Sequence, residues 1–351
     1  MWPKTHLTDL LGNEHPVIQA PMAGSTTVEL VAAVCNAGGI GSMGYSGTPT
    51  ETIRQDAEKI RKLTDKPFNF NFFAHEAPVN KPEVIEATRE RLKPFYSKLG
   101  LGEIPRDLSK PLLTFTQERL ELLLDIKPPL VSFHFGLPES IAIESLKSAG
   151  CRILCSATTT AEAIALEQSG VDIVVAQGWE AGGHRGSFEV NHDDHGVGTM
   201  ALVPQIVDAV NIPVVAAGGI ADGRGIAAAF MLGACGVQMG TAFLSCPEAN
   251  VSDVHLEAIQ NASDDDTRLT KAFSGRPARA RGNNYMESIA AHRLPLPDFP
   301  TMYTLSGPLR KASDDRLDFR FLLYGQAAAL NREMPAAELV RTLVAEARNL
   351  L

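Results

Sequence analysis

The sequence predicts an α/β protein built on a (β/α)8 TIM barrel, with a small, mostly helical cap domain that is formed by insertions. Short β-rich runs alternate with helical stretches along most of the 351 residues. Several of these runs are almost continuously apolar, which is typical of parallel strands covered on both faces. Eight such runs fall within about 230 residues, and this count favours a closed barrel over a doubly wound open sheet.

The element boundaries follow from hydrophobic periodicity and from local start signals. Pro49 near the N-terminus of one helix, with acidic residues in its first turns, is such a signal. The predicted strands span 16–22, 39–44, 67–73, 129–136, 151–158, 172–178, 212–219 and 236–244. The predicted helices span 26–37, 49–63, 116–126, 138–149, 160–169, 199–210 and 222–232, and one or two more over 321–349 close the barrel wall.

Two segments interrupt this rhythm. The first, 74–115, holds many prolines and charges and is predicted to be a partly helical insertion. The second, 248–319, is polar, rich in proline and less periodic. We therefore expect the barrel to comprise 1–73, 116–247 and 320–351, and the cap domain to comprise 74–115 and 248–319.

Composition and charge limit the classes of function. With 44% hydrophobic and 21% charged residues, the chain has an ordinary globular composition. The formal net charge is −9 and the sequence pI is about 5.5. This balance argues against a nucleic-acid partner, because neutralising phosphates requires a basic face.

Targeting signals and cysteines point to an ordinary cytoplasmic protein. No apolar run reaches about 18 residues without glycine, proline or charge, so we expect no membrane-spanning helix and no membrane partner. The N-terminal residues lack the apolar core of a signal peptide. The five cysteines are odd in number and lack metal-ligand spacing, so we expect buried, reduced thiols. The expected assembly is a monomer or a homodimer.

In a barrel of this kind the active site lies at the C-terminal ends of the strands, so the residues after each strand are the candidates. The first predicted strand ends in a surface of small residues that can lie against a flat ring. A tight turn between strand and helix explains the same pattern equally well. These residues are Ala20, Pro21, Met22, Ala23 and Gly24.

Polar side chains occur on the third and fourth predicted strands. Asn69 and Asn71 share one face, because side chains alternate with period two. Two amides in a barrel mouth are costly unless they bind a ligand or satisfy each other in an internal network. By the same parity His134 faces the lumen while Phe133 and Phe135 pack outside. Both a structural and a functional role for His134 stay open.

The stretch from Gln177 to Gly186 is the most informative, because its glycines let backbone N–H groups approach a ligand closely. Gln177 can donate and accept hydrogen bonds, as the edge of a flat heterocyclic ring requires. His184 can act as a base, an acid or a cationic anchor, because the imidazole pKa is close to neutral. Glu180 is better suited to orient its neighbours, and Arg185 is expected to be solvated.

The last two predicted strands end in paired glycine patterns that suit a phosphate. The loops after these strands often bind phosphate in such barrels. Backbone N–H groups of Gly218, Gly219, Gly240 and Thr241, together with the threonine hydroxyl, would suit a dianion. A helix that starts within 221–223 is expected to add the attraction of its dipole.

Other common motifs are absent. No Gly-x-Gly-x-x-Gly follows the first strand, which argues against a tightly held dinucleotide. No serine-elbow or Walker pattern is present. His192, Asp193, Asp194 and His195 lack a third spaced ligand, so we interpret them as a solvated loop and expect no metal site.

Taken in order, seven segments resemble those of class I nitronate monooxygenases, formerly called 2-nitropropane dioxygenases. The similarity runs from about residue 10 to residue 350. The wider family on this barrel includes flavin quinone reductases and enoyl-ACP reductases, but Asn69 and Asn71 combined with His134 and His184 are closer to the nitronate enzymes. The segments are HPVIQAPMAG, AGGIGSMG, PFNFNFF, SFHFG, QGWEAGGHRG, AAGGIADGRG and QMGTAFL.

The resemblance implies one FMN per barrel, bound without covalent attachment. It assigns the phosphate to the two paired glycine patterns and the isoalloxazine ring to the small-residue surface near Gln177. The residues implied for the cofactor are Ala20, Pro21, Met22, Asn69, Asn71, Gln177, Ala181, Gly182, Gly183, Gly218, Gly219, Gln238, Met239, Gly240 and Thr241.

For the substrate, the resemblance implies that His184 is the catalytic histidine. The family also closes tyrosine and lysine side chains over the substrate, and Tyr303 and Lys311 are the nearest candidates here. Phe299 and Gly307 stand where polar groups are expected. With His134 and Asn69 these candidates complete the expected substrate-binding set, which is His134, Asn69, Tyr303 and Lys311.

The activity implied is oxidative denitrification of an anionic alkyl nitronate, such as propionate 3-nitronate, with O2. One electron would pass to FMN to give a flavin semiquinone, and the products would be a carbonyl compound and nitrite. His184 would anchor the anion, or take the α-proton of a neutral nitroalkane. The alternative is an NAD(P)H-dependent flavin reductase of quinones or enoyl thioesters on the same barrel, and a non-catalytic flavin-binding module is a further one.

Overall fold

The computed structural model describes residues 4–79, 81–108, 114–188, 196–312 and 317–351. Within these ranges the strands are β1 (Val17–Gln19), β2 (Ser42–Tyr45), β3 (Asn69–Phe73), β4 (Leu130–His134), β5 (Arg152–Ala157), β6 (Ile173–Gln177), β7 (Gly183–His184), β8 (Val214–Ala217), β9 (Gly236–Met239), β10 (Thr267–Thr270) and β11 (Ala278–Arg281).

The same ranges contain helices of very different length. They are α1 (His6–Leu11), α2 (Val28–Asn36), α3 (Thr50–Leu63), α4 (Pro82–Lys98), α5 (Gln117–Ile126), α6 (Ser140–Ser148), α7 (Thr160–Gln168), α8 (Thr199–Ala209), α9 (Gly223–Met231), α10 (Thr241–Leu244), α11 (Asp253–Gln260), α12 (Asn284–Ala291), α13 (Thr301–Leu305), α14 (Gly307–Ala312) and α15 (Ala336–Arg348). Two 3-10 turns, Leu317–Phe319 and Ala328–Leu330, precede α15.

Eight parallel strands form the barrel. Their order is β1-β9-β8-β6-β5-β4-β3-β2. An isolated bridge between Ile18 of β1 and Ile40, just before β2, brings the two ends of this order together and nearly closes the barrel. The predicted (β/α)8 fold is therefore confirmed, with all eight predicted barrel strands present at shorter lengths.

The space inside the barrel is filled by aliphatic side chains from most of the strands. Leu7 and Leu11 of α1, a helix that was not predicted, join this interior cluster. Thr5 caps α1, because its side chain accepts the N–H of Thr8 and so satisfies a free donor at the helix start. The interior cluster consists of Leu7, Leu11, Ile18, Ile40, Leu130, Leu154, Ile173, Val175, Val215 and Ala217.

A second, larger apolar layer lies between the strands and the surrounding helices. Phe70, Phe72 and Phe133 belong to it, as strand parity predicted. The last helix, α15, packs against α9 and α2 and completes the ring of helices. The prediction that the final segment closes the barrel wall is therefore confirmed.

The eighth barrel strand is shorter than predicted. It ends at Met239, and Thr241–Leu244 forms the short helix α10 instead of continuing the strand. Gly240 adopts φ −107° and ψ −67°, which turns the chain out of the extended conformation. The N–H of Phe243 then donates to the carbonyl of Gly240 at 2.9 Å.

Residues of both interrupting segments share an apolar cluster of their own. This cluster supports the proposed division of the chain into a barrel and a cap of 74–115 and 248–319. It consists of Ile85, Leu92, Tyr96, Ala272, Phe273, Tyr285, Met286, Ile289, Met302, Leu305, Leu309 and Phe319.

A small antiparallel sheet, in the order β10-β11-β7, adds strands to this largely helical region. It was not predicted, because β10 (TRLT) and β11 (ARAR) lack alternating large apolar residues. Its third strand, β7, belongs to the glycine-rich loop after β6 and sets His184 opposite Ala278. The sheet thus links the cap segment to the loop that carries the candidate catalytic histidine.

Candidate active site

A cavity of about 540 Å³ lies at the C-terminal ends of the barrel strands and is lined by residues of every predicted group. Asn69 and Lys311 are the two predicted site residues that do not line it. Those that do are Ala20, Pro21, Met22, Asn71, His134, Gln177, Ala181, Gly182, Gly183, His184, Gly218, Gly219, Gln238, Met239, Gly240, Thr241 and Tyr303.

The two asparagines of β3 lie at different depths. Asn71 lines the cavity, and its amide donates to the Ser132 hydroxyl at 2.9 Å. Asn69 is completely buried and donates to the hydroxyls of Ser42 at 3.2 Å and Ser132 at 2.9 Å. Two residues correspond to roughly 7 Å along a strand. Asn69 therefore lies in a polar network beneath the cavity. The network does not satisfy it fully, because its Oδ1 atom is buried without a hydrogen-bond partner among the described residues.

Four residues at the ends of β8 and β9, here called the glycine cradle, are Gly218, Gly219, Gly240 and Thr241. Gly218 and Gly219 have φ of 107° and 72°, which residues with side chains rarely adopt. A Cβ at Gly218 would lie 3.0 Å from the backbone nitrogen of Ala181. The Thr241 hydroxyl accepts the N–H of Gly325 at 3.0 Å, which leaves its own proton to donate.

The start of α9 does not contribute the anion attraction that we expected. Asp222 caps this helix, because its carboxylate accepts the N–H of Arg224 at 2.9 Å. The N–H of Gly223 donates to the carboxylate of Glu346 at 3.0 Å. Two carboxylates already occupy the helix start, so a further anion would be repelled there.

The loop that carries His184 is fastened by its backbone. The Gln177 amide donates to the carbonyl of His184 at 3.0 Å and accepts the N–H of Gly186 at 2.7 Å. The Nε2 atom of His134 lies 3.1 Å from the same carbonyl, so it carries a proton and donates. The Gln177 side chain thus holds the loop in place. The sequence had predicted only hydrogen bonds from Gln177 to the edge of a flat ring.

His134 faces the cavity, as parity predicted, but one of its phenylalanine neighbours does not behave as predicted. The Nδ1 atom of His134 lies 3.0 Å from the Ser156 hydroxyl, and burial lowers the pKa of the imidazole to about 4. Phe135 follows the end of β4 with a φ of 74°, so strand parity no longer applies. Its ring packs 4.7 Å from that of Phe73 instead of joining the outer layer.

Three phenylalanine rings, here called the aromatic wall, surround the imidazole of His184. The ring centroids of Phe135, Phe299 and Phe321 lie 5.7, 5.9 and 5.9 Å from it. Burial, aided by the nearby His134, Arg276 and Arg310, lowers the pKa of His184 to about 3. The imidazole is therefore neutral at pH 7.

Glu180 and Arg185 have distinct places in the loop. Glu180 orients its neighbours, as predicted, since its carboxylate accepts both the N–H and the hydroxyl of Thr199 at 2.9 Å. Arg185 is buried rather than solvated, so that expectation was wrong. Its guanidinium donates to the carbonyl of Gly178 and lies 5.3 Å from the ring centre of Trp179.

Among the candidates near the chain end, Tyr303 lines the cavity and Lys311 is exposed. Arg310, the residue before Lys311, does line the cavity, and its guanidinium stacks 3.5 Å from the centre of the Tyr303 ring. Neighbouring residues on a helix point about 100° apart, so an error of one residue selects the wrong side chain. Only a firm alignment of α14 would have identified Arg310.

Sequence reasoning also missed several residues that contact the cavity or its histidines. Ser132 and Ser156 line the cavity and hold Asn71 and His134. Ser274 lies 3.0 Å from Nε2 of His184. None of these serines stands in a motif, so the only available signal was the inward parity of Ser132 and Ser156 on their strands.

Comparison with known proteins identifies the family. The family model described as nitronate monooxygenase matches residues 4–346. The chain belongs to the nitronate monooxygenase family. Nitronate monooxygenase of Pseudomonas aeruginosa is 46% identical over 346 residues, which cover 97% of this chain and 98% of that protein. The resemblance inferred from the motifs is therefore confirmed, and the protein is an oxidoreductase of this family.

Two solved structures of related proteins share this fold over nearly the whole chain. A nitroalkane oxidase from Streptomyces ansochromogenes is 37% identical, with a TM-score of 0.89 over 98% of both chains. FabK from Thermotoga maritima is 31% identical, with a TM-score of 0.76 over 99% of this chain and 97% of that one. In the described part of this chain, no helix combines the length and apolar character that crossing a membrane requires.

Proposed function

We propose that this member of the nitronate monooxygenase family oxidises alkyl nitronates of the propionate 3-nitronate type, using O2 and one bound FMN. The proposed products are a carbonyl compound and nitrite. The observation that carries the proposal is the neutral, half-buried imidazole of His184, which lines the cavity together with the glycine cradle. Asn69 and Lys311 take no part in it, because neither lines the cavity.

The residues present fit FMN at two places. The glycine cradle offers backbone N–H groups and the Thr241 hydroxyl to a phosphate, and Gly218 and Gly219 adopt positive φ values that residues with side chains rarely adopt. The small residues Ala20, Pro21 and Met22 line the same cavity and leave a surface for a flat ring. The cavity volume is within the range of ordinary small-molecule sites. Bound FMN would supply electron transfer from the nitronate to O2, which no side chain can supply.

In the free protein, His184 is in its neutral form and can accept a proton. Because its pKa is lowered to about 3, it is not a permanent cationic anchor in the free protein. A neutral nitroalkane would lose its α-proton to the free imidazole nitrogen. An anionic nitronate would instead raise the imidazole pKa by its charge and favour a protonated, hydrogen-bonding ring.

The surroundings of His184 favour an anion in a dry site. The aromatic wall covers much of the imidazole with apolar surface, which strengthens electrostatic interactions there. Arg310 and Arg320 line the cavity. Among the described lining residues, Glu180 supplies the only carboxylate, and Thr199 already binds it. A nitronate anion would therefore meet more positive than negative charge.

The proposal is tested by anaerobic mixing of the purified flavoprotein with propionate 3-nitronate, and separately with NADH and NADPH. We expect the absorbance of one-electron-reduced flavin with the nitronate and no bleaching by either nicotinamide. Aerobic mixing with the nitronate should then release nitrite in proportion to the O2 consumed. Rapid bleaching by NADH or NADPH, with no response to the nitronate, would reject the proposal in favour of a flavin reductase.

A further inference from the structure

A short turn of the cap, here called the serine turn and comprising 274–277, lies directly against His184. The antiparallel pairing of β7 with β11 places His184 opposite Ala278, immediately after the turn. The N–H of Arg185 donates to the carbonyl of Pro277 at 2.9 Å. The serine turn is therefore held against the loop that carries the histidine.

The hydroxyl of Ser274 determines which nitrogen of His184 carries the proton. Ser274 is completely buried, and its oxygen lies 3.0 Å from Nε2 of His184. The hydroxyl donates to the carbonyl of Arg276 at 2.9 Å and accepts the N–H of the same residue at 3.3 Å. A hydroxyl has a single proton to donate, so with that proton on the carbonyl, Nε2 must be the donor.

The side chain of Arg276 also holds the serine turn against the loop that carries His184. Its guanidinium donates to the carbonyl of Ser187, in the loop that follows His184. It also lies 4.1 Å from the centre of the Phe135 ring, which packs edge-on against the imidazole of His184 at 5.7 Å. The backbone of Arg276 binds the Ser274 hydroxyl, while its side chain binds the histidine loop and the aromatic wall.

We propose that Ser274 is a positioning residue that holds the His184 imidazole as the Nε2–H tautomer and so directs Nδ1, with its lone pair, towards the substrate. Ser274 does not line the cavity, so it acts through His184 rather than on the substrate. The proposal rests on the proposed function of His184. Its central claim, the tautomer, can nevertheless be measured without turnover.

The direct test is a long-range ¹H–¹⁵N correlation spectrum of the full-length flavoprotein labelled with ¹⁵N-histidine. The His184→Asn variant identifies the signals of His184 by their loss. We expect a pyrrole-type Nε2 and a pyridine-type Nδ1 in the native protein. In Ser274→Ala we expect a mixture of the two tautomers, and in Ser274→Thr, which keeps the hydroxyl, the native pattern.

Turnover provides the second readout. With propionate 3-nitronate, Ser274→Ala should lower kcat about tenfold while KM changes little, and Ser274→Thr should recover most of kcat. The control is Ser245→Ala, which removes another buried hydroxyl, one that accepts a hydrogen bond from Asn331 at 2.8 Å. We expect its kcat and its tautomer to be native.

A pyrrole-type Nδ1 in the native protein would overturn the proposal, and so would an unchanged tautomer and kcat in Ser274→Ala. If Ser274→Ala does not fold, the native spectrum and that of Ser274→Thr still decide. A tautomer that depends on Ser274, in a native protein that shows no nitronate turnover, would reject the proposed function and leave the positioning role intact.

Discussion

The glycine cradle and the aromatic wall lie at the same cavity, but the cradle is formed by backbone and the wall by side chains. The cradle is backbone at the ends of two neighbouring strands, where Gly218 and Gly219 adopt positive φ. The wall is made of side chains from three distant parts of the chain, Phe135, Phe299 and Phe321. A cradle of this kind fails when a side chain is added, whereas a wall fails when a side chain is removed or moved.

The largest effect is expected on the wall side, at the residue that the wall encloses. His184→Asn should lower kcat/KM for propionate 3-nitronate by about 10²- to 10⁴-fold, because it removes the group that exchanges a proton with the substrate. Oxygen uptake and nitrite release measure the loss. The flavin content of the purified variant should stay native, because His184 lies outside the cradle. Retention of turnover within tenfold of the native value would remove His184 from the mechanism.

On the cradle side, Gly218→Ala should weaken FMN binding by at least tenfold. The added Cβ would lie 3.0 Å from the Ala181 backbone nitrogen, and φ at this position is 107°. The matched control is Gly150→Ala, with a φ of 95° and no atom within 4 Å of the added Cβ. Both variants carry similar backbone strain, so only the first should lose flavin on dialysis. Equal flavin retention would show that the cradle does not hold the cofactor.

The two sides of the site also differ in how far the sequence predicted them. Each cradle residue stands beside its neighbours in a motif at a strand end, so local sequence was sufficient to locate all four. Strand parity correctly predicted that His134 and Asn71 line the cavity and that the Phe133 side chain packs in the apolar layer between strands and helices. Local rules therefore worked at these strand positions and strand ends.

Where the backbone leaves regular structure, the same rules failed. Parity placed Phe135 outside, but a φ of 74° just after β4 returns its ring to the wall. Arg185 was expected in solvent, since nothing local indicates the carbonyl of Gly178 and the ring of Trp179 that bury it. Ser274 and His184 are 90 residues apart, so only the paired cap strands bring them together.

Substitution of Arg310, the cap arginine that lines the cavity, is expected to have a smaller effect. Arg310→Met should raise KM for the anionic propionate 3-nitronate about tenfold, because it removes a positive charge from the cavity lining while keeping much of the side-chain volume. Lys311→Met removes the same charge one residue away, where the side chain is exposed, and should leave KM native. Equal effects of the two substitutions would mean that general surface charge, not a contact in the cavity, attracts the substrate.

The smallest effect concerns stability and depends on pH. Burial lowers the pKa of His134 to about 4 from an ordinary value of 6.5. Between these values the unfolded state binds more protons than the folded state, so the free energy of unfolding falls as pH is lowered. For this one histidine the fall between pH 6 and pH 5 should be about 1 kcal/mol.

Urea unfolding of the native protein and of His134→Gln at a series of pH values measures this contribution. The variant loses the hydrogen bond to the His184 carbonyl and should be less stable at pH 7. Its stability should nevertheless fall less steeply from pH 6.5 to pH 4, because glutamine does not titrate. His292→Gln, at an exposed position, should keep the native slope. A native slope in His134→Gln would mean that folding does not lower the pKa of His134, and that water reaches this imidazole more freely than its packing indicates.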